Sequence, residues 1–104
     1  TNDGGRRPEV FRPAYQRYLR TVRAAYPRAR IFALRPFNGA HAESILSLVT
    51  AQKLVGDFDT YYIDTTGWLG PGDFTDGVHP NAQGGARAAD RLAAELRTYL
   101  KDLL

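Results

Sequence analysis

The chain has 104 residues, 43% of them hydrophobic and 12% aromatic, which is typical of a packed core and excludes intrinsic disorder. Its net charge of +3 comes mainly from dispersed arginines, so we expect no nucleic-acid interface, and no apolar run is long enough to span a membrane. The absence of cysteine excludes disulfides and thiolate metal ligands and leaves the cellular compartment open.

The first predicted elements are a long amphipathic helix and a short strand. Apolar residues recur at intervals of three and four over residues 8–26, which predicts a helix that Pro27 terminates. Pro13 falls early in this run, so we expect the regular part of the helix to start there. Residues 30–35, RIFALR, hold a short apolar run between two arginines and are bounded by Pro27 and Pro36, which predicts a buried strand.

A second helix and strand follow, and then a loop and a third helix. Residues 42–55 predict a helix that ends near Gly56, and residues 60–64 are rich in β-branched and aromatic residues typical of a strand. Residues 65–77 contain four glycines and one proline and predict a long loop, a common location for binding residues. The last helix is predicted over about 82–103, with Asn81 as its N-cap.

This order of elements indicates an α/β fold. Strands that alternate with long helices imply parallel pairing through right-handed crossovers. A sheet of only two strands is too small to bury the apolar faces of three amphipathic helices. We therefore expect residues 1–104 to be the C-terminal portion of one α/β sandwich domain, completed by a missing N-terminal half or by a partner chain.

The most informative stretch is residues 74–81, FTDGVHPN, where an acidic residue and a histidine lie three positions apart. Gly77 loosens the backbone, and Pro80 disfavours helical geometry at His79. A tight turn here can bring Asp76 against one ring nitrogen of His79 and leave the other exposed. A general base needs this arrangement, because the carboxylate selects the tautomer and stabilises the imidazolium that forms.

Asp76-x-x-His79-Pro80, together with the much earlier pair Asn2-Asp3, resembles the SGNH hydrolases, also called the GDSL esterases and lipases. The intervening residues 15–31, YQRYLRTVRAAYPRARI, resemble the helix-to-strand segment of the carbohydrate-esterase members. The resemblance implies a three-layer α/β/α sandwich with a parallel, flavodoxin-like sheet. It also implies a Ser-His-Asp esterase that needs no cofactor or metal and acts on small-molecule or carbohydrate esters, carbohydrate deacetylation included.

The resemblance assigns a role to each matching residue. His79 is the general base, Asp76 orients it, and the Asn2 amide donates to the oxyanion, an interaction worth ~3 kcal/mol. The family's nucleophile belongs to a Gly-Asp-Ser block that this sequence lacks. The only serines, Ser44 and Ser47, fall inside a predicted helix. We therefore expect the nucleophile to come from outside these residues and the isolated chain to be inactive.

Further residues are candidates with competing interpretations. Asp3, Trp68 and Phe74 are candidate substrate-binding residues, since the two aromatic rings could stack on a sugar, although packing is the default role of isolated aromatics. Separately, His41 and Asp64 could line the site or serve only the local loops.

Two other functions stay open at this stage. The chain could be a non-catalytic α/β binding or assembly module that keeps the shape of the site but lacks the nucleophile. Asp76 and His79 could also simply cap the last helix and bond loop amides. Asp73, Asp76 and His79 could instead suggest a metal-dependent hydrolase, against which the lack of another strong ligand cluster argues.

Overall fold

A computed structural model of the chain describes residues 7–76 and 78–103. These residues form three α-helices and a sheet of two parallel strands, which confirms the α/β class. They divide into two compact units that meet in the sequence between Asp64 and Thr65.

The first unit contains α1 (Pro8–Ala25), β1 (Ile31–Leu34), α2 (Ala42–Leu54) and β2 (Thr60–Ile63). The sequence predicts all four elements, the helices from the spacing of their apolar residues and the strands from their residue content. Their observed ends lie within one residue of the predicted ranges 8–26, 30–35, 42–55 and 60–64. Patterns of this length locate helices and strands well because they reflect which face is buried.

The predicted start of regular helix at Pro13 is wrong. The helix begins at Pro8, which occupies the first turn, and Pro13 lies inside it. Proline fits the first helical turn because the N–H it lacks has no partner there in any case. Pro13 lies one turn further in, where its missing N–H removes the helical partner of the Glu9 carbonyl alone.

The two strands pair in parallel, as predicted, with Ile31 opposite Thr60 and Leu34 opposite Ile63. The backbone N–H of Ile31 donates to the carbonyl of Asp59 at 2.9 Å, and that of Arg35 donates to Ile63 at 2.9 Å. Parallel pairing places the carboxyl ends of both strands at the same edge, where α/β proteins commonly bind ligands.

Apolar side chains from three elements form the core of this unit. Its buried members are Phe11 of α1, Ala33 of β1, and Ile45 and Val49 of α2. Tyr15 and Tyr62 pack against them and are partly buried. Burial raises the pKa of both tyrosine hydroxyls above the ordinary value.

The C-terminus of α2 is closed by Gly56, whose φ of 95° lies in the left-handed region that favours glycine. Gly56 N–H donates to the carbonyl of Lys53 at 3.1 Å, and Asp57 N–H donates to that of Gln52 at 2.9 Å. This paired pattern is the Schellman motif, and it brings Asp57 back towards the end of the helix.

Asp57 is the centre of a hydrogen-bond network that ties α1 to the start of β2. Its two carboxylate oxygens accept from Nε and Nη2 of Arg23, both at 3.0 Å. Oδ2 also accepts from the hydroxyl of Thr60 at 2.7 Å and from the amide of Gln52 at 3.1 Å. The remaining guanidinium nitrogen of Arg23 donates to the carbonyl of Ala29 at 2.7 Å. A bidentate, partly buried pair of this kind holds the elements in a fixed arrangement.

Acid should weaken this unit through Asp57. Burial raises the pKa of the Asp57 carboxyl, but hydrogen bonds from Arg23 and its neighbours outweigh burial and lower it from 3.8 to about 2. The folded-state pKa is the lower one, so the contribution is present above pH 4 and is lost as pH falls towards 2. After allowance for solvent screening, we expect a loss on the order of 1–2 kcal/mol.

Urea unfolding of the wild-type chain and of Asp57→Asn, each at pH 5 and pH 2, would measure this contribution. The wild-type chain should lose more unfolding free energy than the variant over this interval, because the variant has no carboxylate at position 57 to protonate. An equal loss in both proteins would show that Asp57 does not carry the acid sensitivity.

The second unit contains a 3₁₀ turn at Pro71–Asp73, α3 (Ala82–Leu100) and a closing 3₁₀ turn at Lys101–Leu103. The long loop predicted over residues 65–77 is present, with the first 3₁₀ turn as its regular part. The third helix begins where predicted, but its last three residues tighten into the closing turn. Among the described residues, no helix is both long enough and apolar enough to cross a membrane.

Candidate functional site

The candidate site is a closed turn of residues 74–80, immediately before α3, which we call the Asp-His turn. Phe74 and Pro80 form an isolated antiparallel bridge across its base. The backbone N–H and the hydroxyl of Thr75 both donate to the carbonyl oxygen of His79, at 2.9 and 3.0 Å. The turn is therefore fixed by its own backbone as well as by its side chains.

Inside this turn, the carboxylate of Asp76 contacts His79 in the way the spacing predicts. Oδ2 lies 2.8 Å from Nδ1 of His79. Oδ1 accepts from the backbone N–H groups of His79 at 2.7 Å and of Val78 at 3.0 Å. The side chains of Asp76 and His79 are 55% and 59% exposed, so the pair lies at the surface of its unit.

These contacts favour the ionised form of Asp76 and determine which nitrogen of a neutral His79 ring carries the proton. The His79 backbone N–H, the His79 ring and the Val78 N–H all stabilise the ionised carboxylate, so the pKa of Asp76 lies well below its ordinary value. An ionised carboxylate only accepts hydrogen bonds, so Nδ1 of His79 is the donor. The neutral ring then carries its lone pair on Nε2, the nitrogen that removes a proton in general base catalysis.

Asn81 joins the Asp-His turn to α3 and is the N-cap of that helix, as predicted. Its side-chain oxygen accepts from the N–H of Gly84 at 2.8 Å. Its side-chain amide donates to the carbonyl of Gly72 at 2.8 Å, on the other side of the turn. One side chain therefore starts the helix and clamps the preceding loop.

Asp73 is the buried polar centre of this unit, with only 2% of its side chain exposed. Its Oδ2 accepts from the N–H of Gly70 at 2.9 Å and from Nη1 of Arg87 at 3.1 Å. Its Oδ1 accepts from the side-chain amide of Gln83 at 3.1 Å. The Gly70 N–H contributes most to stabilising the ionised form of Asp73. Together with Gln83 and Arg87 it lowers the pKa of the Asp73 carboxyl.

The metal-site interpretation needs Asp73 to act together with Asp76 and His79. The Asp73 carboxylate is instead engaged by Gly70, Gln83 and Arg87. Within residues 7–76 and 78–103, no group of three or more His, Asp or Glu side chains is arranged to hold a metal ion.

The two aromatic candidates for substrate binding lie in the second unit. Trp68 is 8% exposed, and the guanidinium carbon of Arg91 lies 5.9 Å from its ring centroid. The ring borders an open cleft of about 460 Å³ that Arg87 and Asp90 also line. Phe74 is half-buried in the bridge of the Asp-His turn. Arg91 lies over the Trp68 ring, and the role of both aromatic rings in stacking on a sugar stays a prediction.

Both serines lie inside α2, as predicted. Ser44 is 8% exposed, and the hydroxyl of Ser47 accepts from Arg12 at 3.0 Å. His41 precedes α2 with a left-handed φ of 57°, and its ring stacks on Phe11 with the two centroids 3.9 Å apart. These side chains therefore have structural roles in the first unit.

Three further candidate residues are Asp64, Asn2 and Asp3. Asp64 is exposed and follows β2 directly. Asn2 and Asp3 lie outside the described residues, so the oxyanion and substrate-binding roles assigned to them stay predictions.

No family model, curated protein or solved structure matches this chain.

Reasoning from the sequence missed the part played by Asp73, which it considered only as a metal ligand. A local signal was present. Asp73 lies three residues after Gly70 with Pro71 between them, and an acidic residue at this spacing can reach back to the backbone N–H that opens a helical turn. The observed bond from Gly70 N–H to Asp73 is of this type.

Proposed function

We propose that this chain contributes the general base and its orienting carboxylate to a serine esterase of the SGNH type. The observation that carries the proposal is the 2.8 Å contact between Asp76 Oδ2 and His79 Nδ1, with Asp76 held by two backbone N–H groups. A carboxylate fixed in this way presents a histidine in the tautomer that accepts a proton at Nε2.

In the proposed reaction, a serine hydroxyl from outside the described residues attacks the ester carbonyl. Nε2 of His79 takes the hydroxyl proton as the new C–O bond forms, and Asp76 stabilises the resulting imidazolium. The protonated ring returns the proton to the alcohol as it leaves, and an acyl-enzyme remains. Water, deprotonated by the same ring, then releases the acid and restores the serine.

Asn2 completes the proposal as a donor to the oxyanion that develops on the carbonyl oxygen. Such a donor acts mainly on the transition state, because negative charge accumulates on that oxygen only there. The substrates are small-molecule or carbohydrate esters, acetyl esters included, and no cofactor takes part.

The same proposal covers the architecture. The sheet of β1 and β2 with its helices is one part of a three-layer α/β/α sandwich, and an N-terminal half carrying a Gly-Asp-Ser block supplies further strands and the nucleophile. Both serines of this chain lie inside α2, one of them buried and the other bonded to Arg12, which is consistent with an external nucleophile. The same observation is also what favours the alternative, a non-catalytic α/β binding or assembly module.

Complementation tests this proposal. The chain is assayed on p-nitrophenyl acetate alone and after addition of a polypeptide that carries the N-terminal half of an SGNH domain with its Gly-Asp-Ser block. We expect hydrolysis and labelling by a fluorophosphonate probe only in the mixture. His79→Ala should lower the rate by about 10³-fold or more, because the hydroxyl then has no base.

His41→Ala is the matched control, since it removes the other histidine of the chain, which stacks on Phe11 in the first unit. It should retain activity in the mixture. Activity of the chain alone that survives His79→Ala would contradict the assigned base. A mixture that assembles but neither hydrolyses the ester nor reacts with the probe would favour the non-catalytic module.

A further inference from the structure

The residues that enter and leave the Asp-His turn, 70–73 on one side and Asn81 on the other, form a short stem. The two sides of this stem meet at Asp73. On the side entering the turn, the Asp73 carboxylate accepts from Gly70 N–H at 2.9 Å. On the side leaving it, the backbone N–H of Asn81 donates to the carbonyl oxygen of Asp73 at 2.8 Å. The stem is thus closed at the residue that precedes Phe74.

The same carboxylate also fixes the stem against α3. Gln83 and Arg87 lie four residues apart on one face of that helix, and both donate to Asp73, each at 3.1 Å. The helix backbone comes equally close, because a Cβ built at Gly84 would overlap the carbonyl oxygen of Asp73 and lie 2.9 Å from its Cβ. Asp73 is therefore held by side chains and backbone from two successive turns of α3.

The side chains of Asp76 and His79 are far more exposed than that of Asp73 in the stem. Asp76 and His79 are more than half exposed, and their contacts with each other lie within the turn itself. The stem is one of the connections that set the direction of the His79 ring relative to α3. The buried Asp73 carboxylate with its three donors, together with Asn81, connects the stem to α3.

We infer that Asp73 is a positioning residue, which acts through the stem to hold Asp76 and the His79 ring in a single geometry. The inference deepens the proposed function and rests on it for its catalytic meaning. The Asp73 carboxylate bonds to Gly70, Gln83 and Arg87, so its effect on His79 is indirect.

The tautomer of His79 provides a test that does not depend on activity. Long-range ¹H–¹⁵N spectra of the full chain report the tautomer of each histidine ring, and His79→Gln assigns the two ring spectra. The wild-type ring of His79 should be mainly the Nδ1–H tautomer. In Asp73→Asn, which keeps the size of the side chain, the ratio of Nδ1–H to Nε2–H should fall roughly twofold or more as the stem loosens.

Three further variants make the result decisive. Gln83→Ala removes one of the three donors and should shift the His79 tautomer in the same direction by a smaller amount. Asp90→Asn removes the same charge from an exposed position of α3 and should leave the ratio unchanged. Asp76→Asn is the positive control, and the ring signals of His41 should be constant in all four variants.

Two results would overturn the inference. One is an unchanged His79 tautomer in Asp73→Asn while Asp76→Asn shifts it. The other is loss of the dispersed spectrum in Asp73→Asn, because Asp73 would then hold the fold and not the turn. If the complemented mixture hydrolyses no ester but Asp73→Asn still shifts the tautomer, the proposed function fails and the positioning role stands.

Discussion

Asp76→Asn should lower kcat for ester hydrolysis in the complemented enzyme by ~10⁴-fold, with little change in KM for a small ester. The asparagine amide can donate to Nδ1 of His79, and Nδ1 then carries the lone pair. Nε2 would be protonated in the ground state and unable to take the hydroxyl proton. The loss falls on kcat because substrate binding makes no use of the Asp76 contact with Nδ1.

Thr75→Val is the matched control for this prediction. It removes the hydroxyl that donates to the His79 carbonyl at 3.0 Å but keeps the backbone bond and the carboxylate. We expect a change of less than about tenfold, since one neutral hydrogen bond contributes about 1 kcal/mol. Stopped-flow and steady-state rates on p-nitrophenyl acetate would separate acylation from turnover. If Asp76→Asn retained the wild-type kcat, Asp76 would have no part in orienting the base.

Gly84→Ala and Gly85→Ala should change stability in opposite directions although the two glycines are neighbours in α3. Alanine is the better helix former by about 1 kcal/mol, and this gain applies to both positions. At Gly84 the new methyl group would overlap the Asp73 carbonyl, which is backbone and cannot rotate away. Overpacking of this kind costs about 1–3 kcal/mol or more and should outweigh the gain in propensity.

Gly85 provides the matched control, because a Cβ built there meets no other atom within 4 Å. Gly85→Ala should therefore stabilise the chain by up to about 1 kcal/mol. Urea unfolding followed by circular dichroism would give both differences. Equal stabilisation by the two substitutions would mean that α3 does not approach Asp73 as closely as the structure shows. The His79 tautomer should respond to Gly84→Ala alone, since only that position supports the stem.

The sequence predicts the local parts of this protein well. The apolar spacing from Phe11 to Leu19 defines a buried helix face, and the apolar run around Ala33 defines a strand, although only Ala33 is fully buried and the other three strand residues are half-buried. The contact between Asp76 and His79 is also local, because only two residues separate them and Pro80 excludes helical geometry at His79. Each of these features depends on a few neighbouring residues, which a single sequence displays directly.

Features that join distant residues could not be predicted in the same way. Arg23 and Asp57 are 34 positions apart, and nothing in either neighbourhood identifies the other as its partner. Two of the three donors to Asp73 have the same character, since Gln83 and Arg87 reach it only once α3 is in place. The layers beyond the β1–β2 pair depend on still more distant pairing, so the complete sandwich stays a proposal.

The short sequence span of the Asp-His turn has a consequence for folding. Closing a loop of about ten residues takes on the order of 10–100 ns, far less than the assembly of a parallel sheet. A contact between residues three apart can therefore form early, before the slower pairing of β1 with β2 is complete. The His79–Asp76 pair would then be assembled early, and under the proposed function an external nucleophile would reach it through a later, long-range approach.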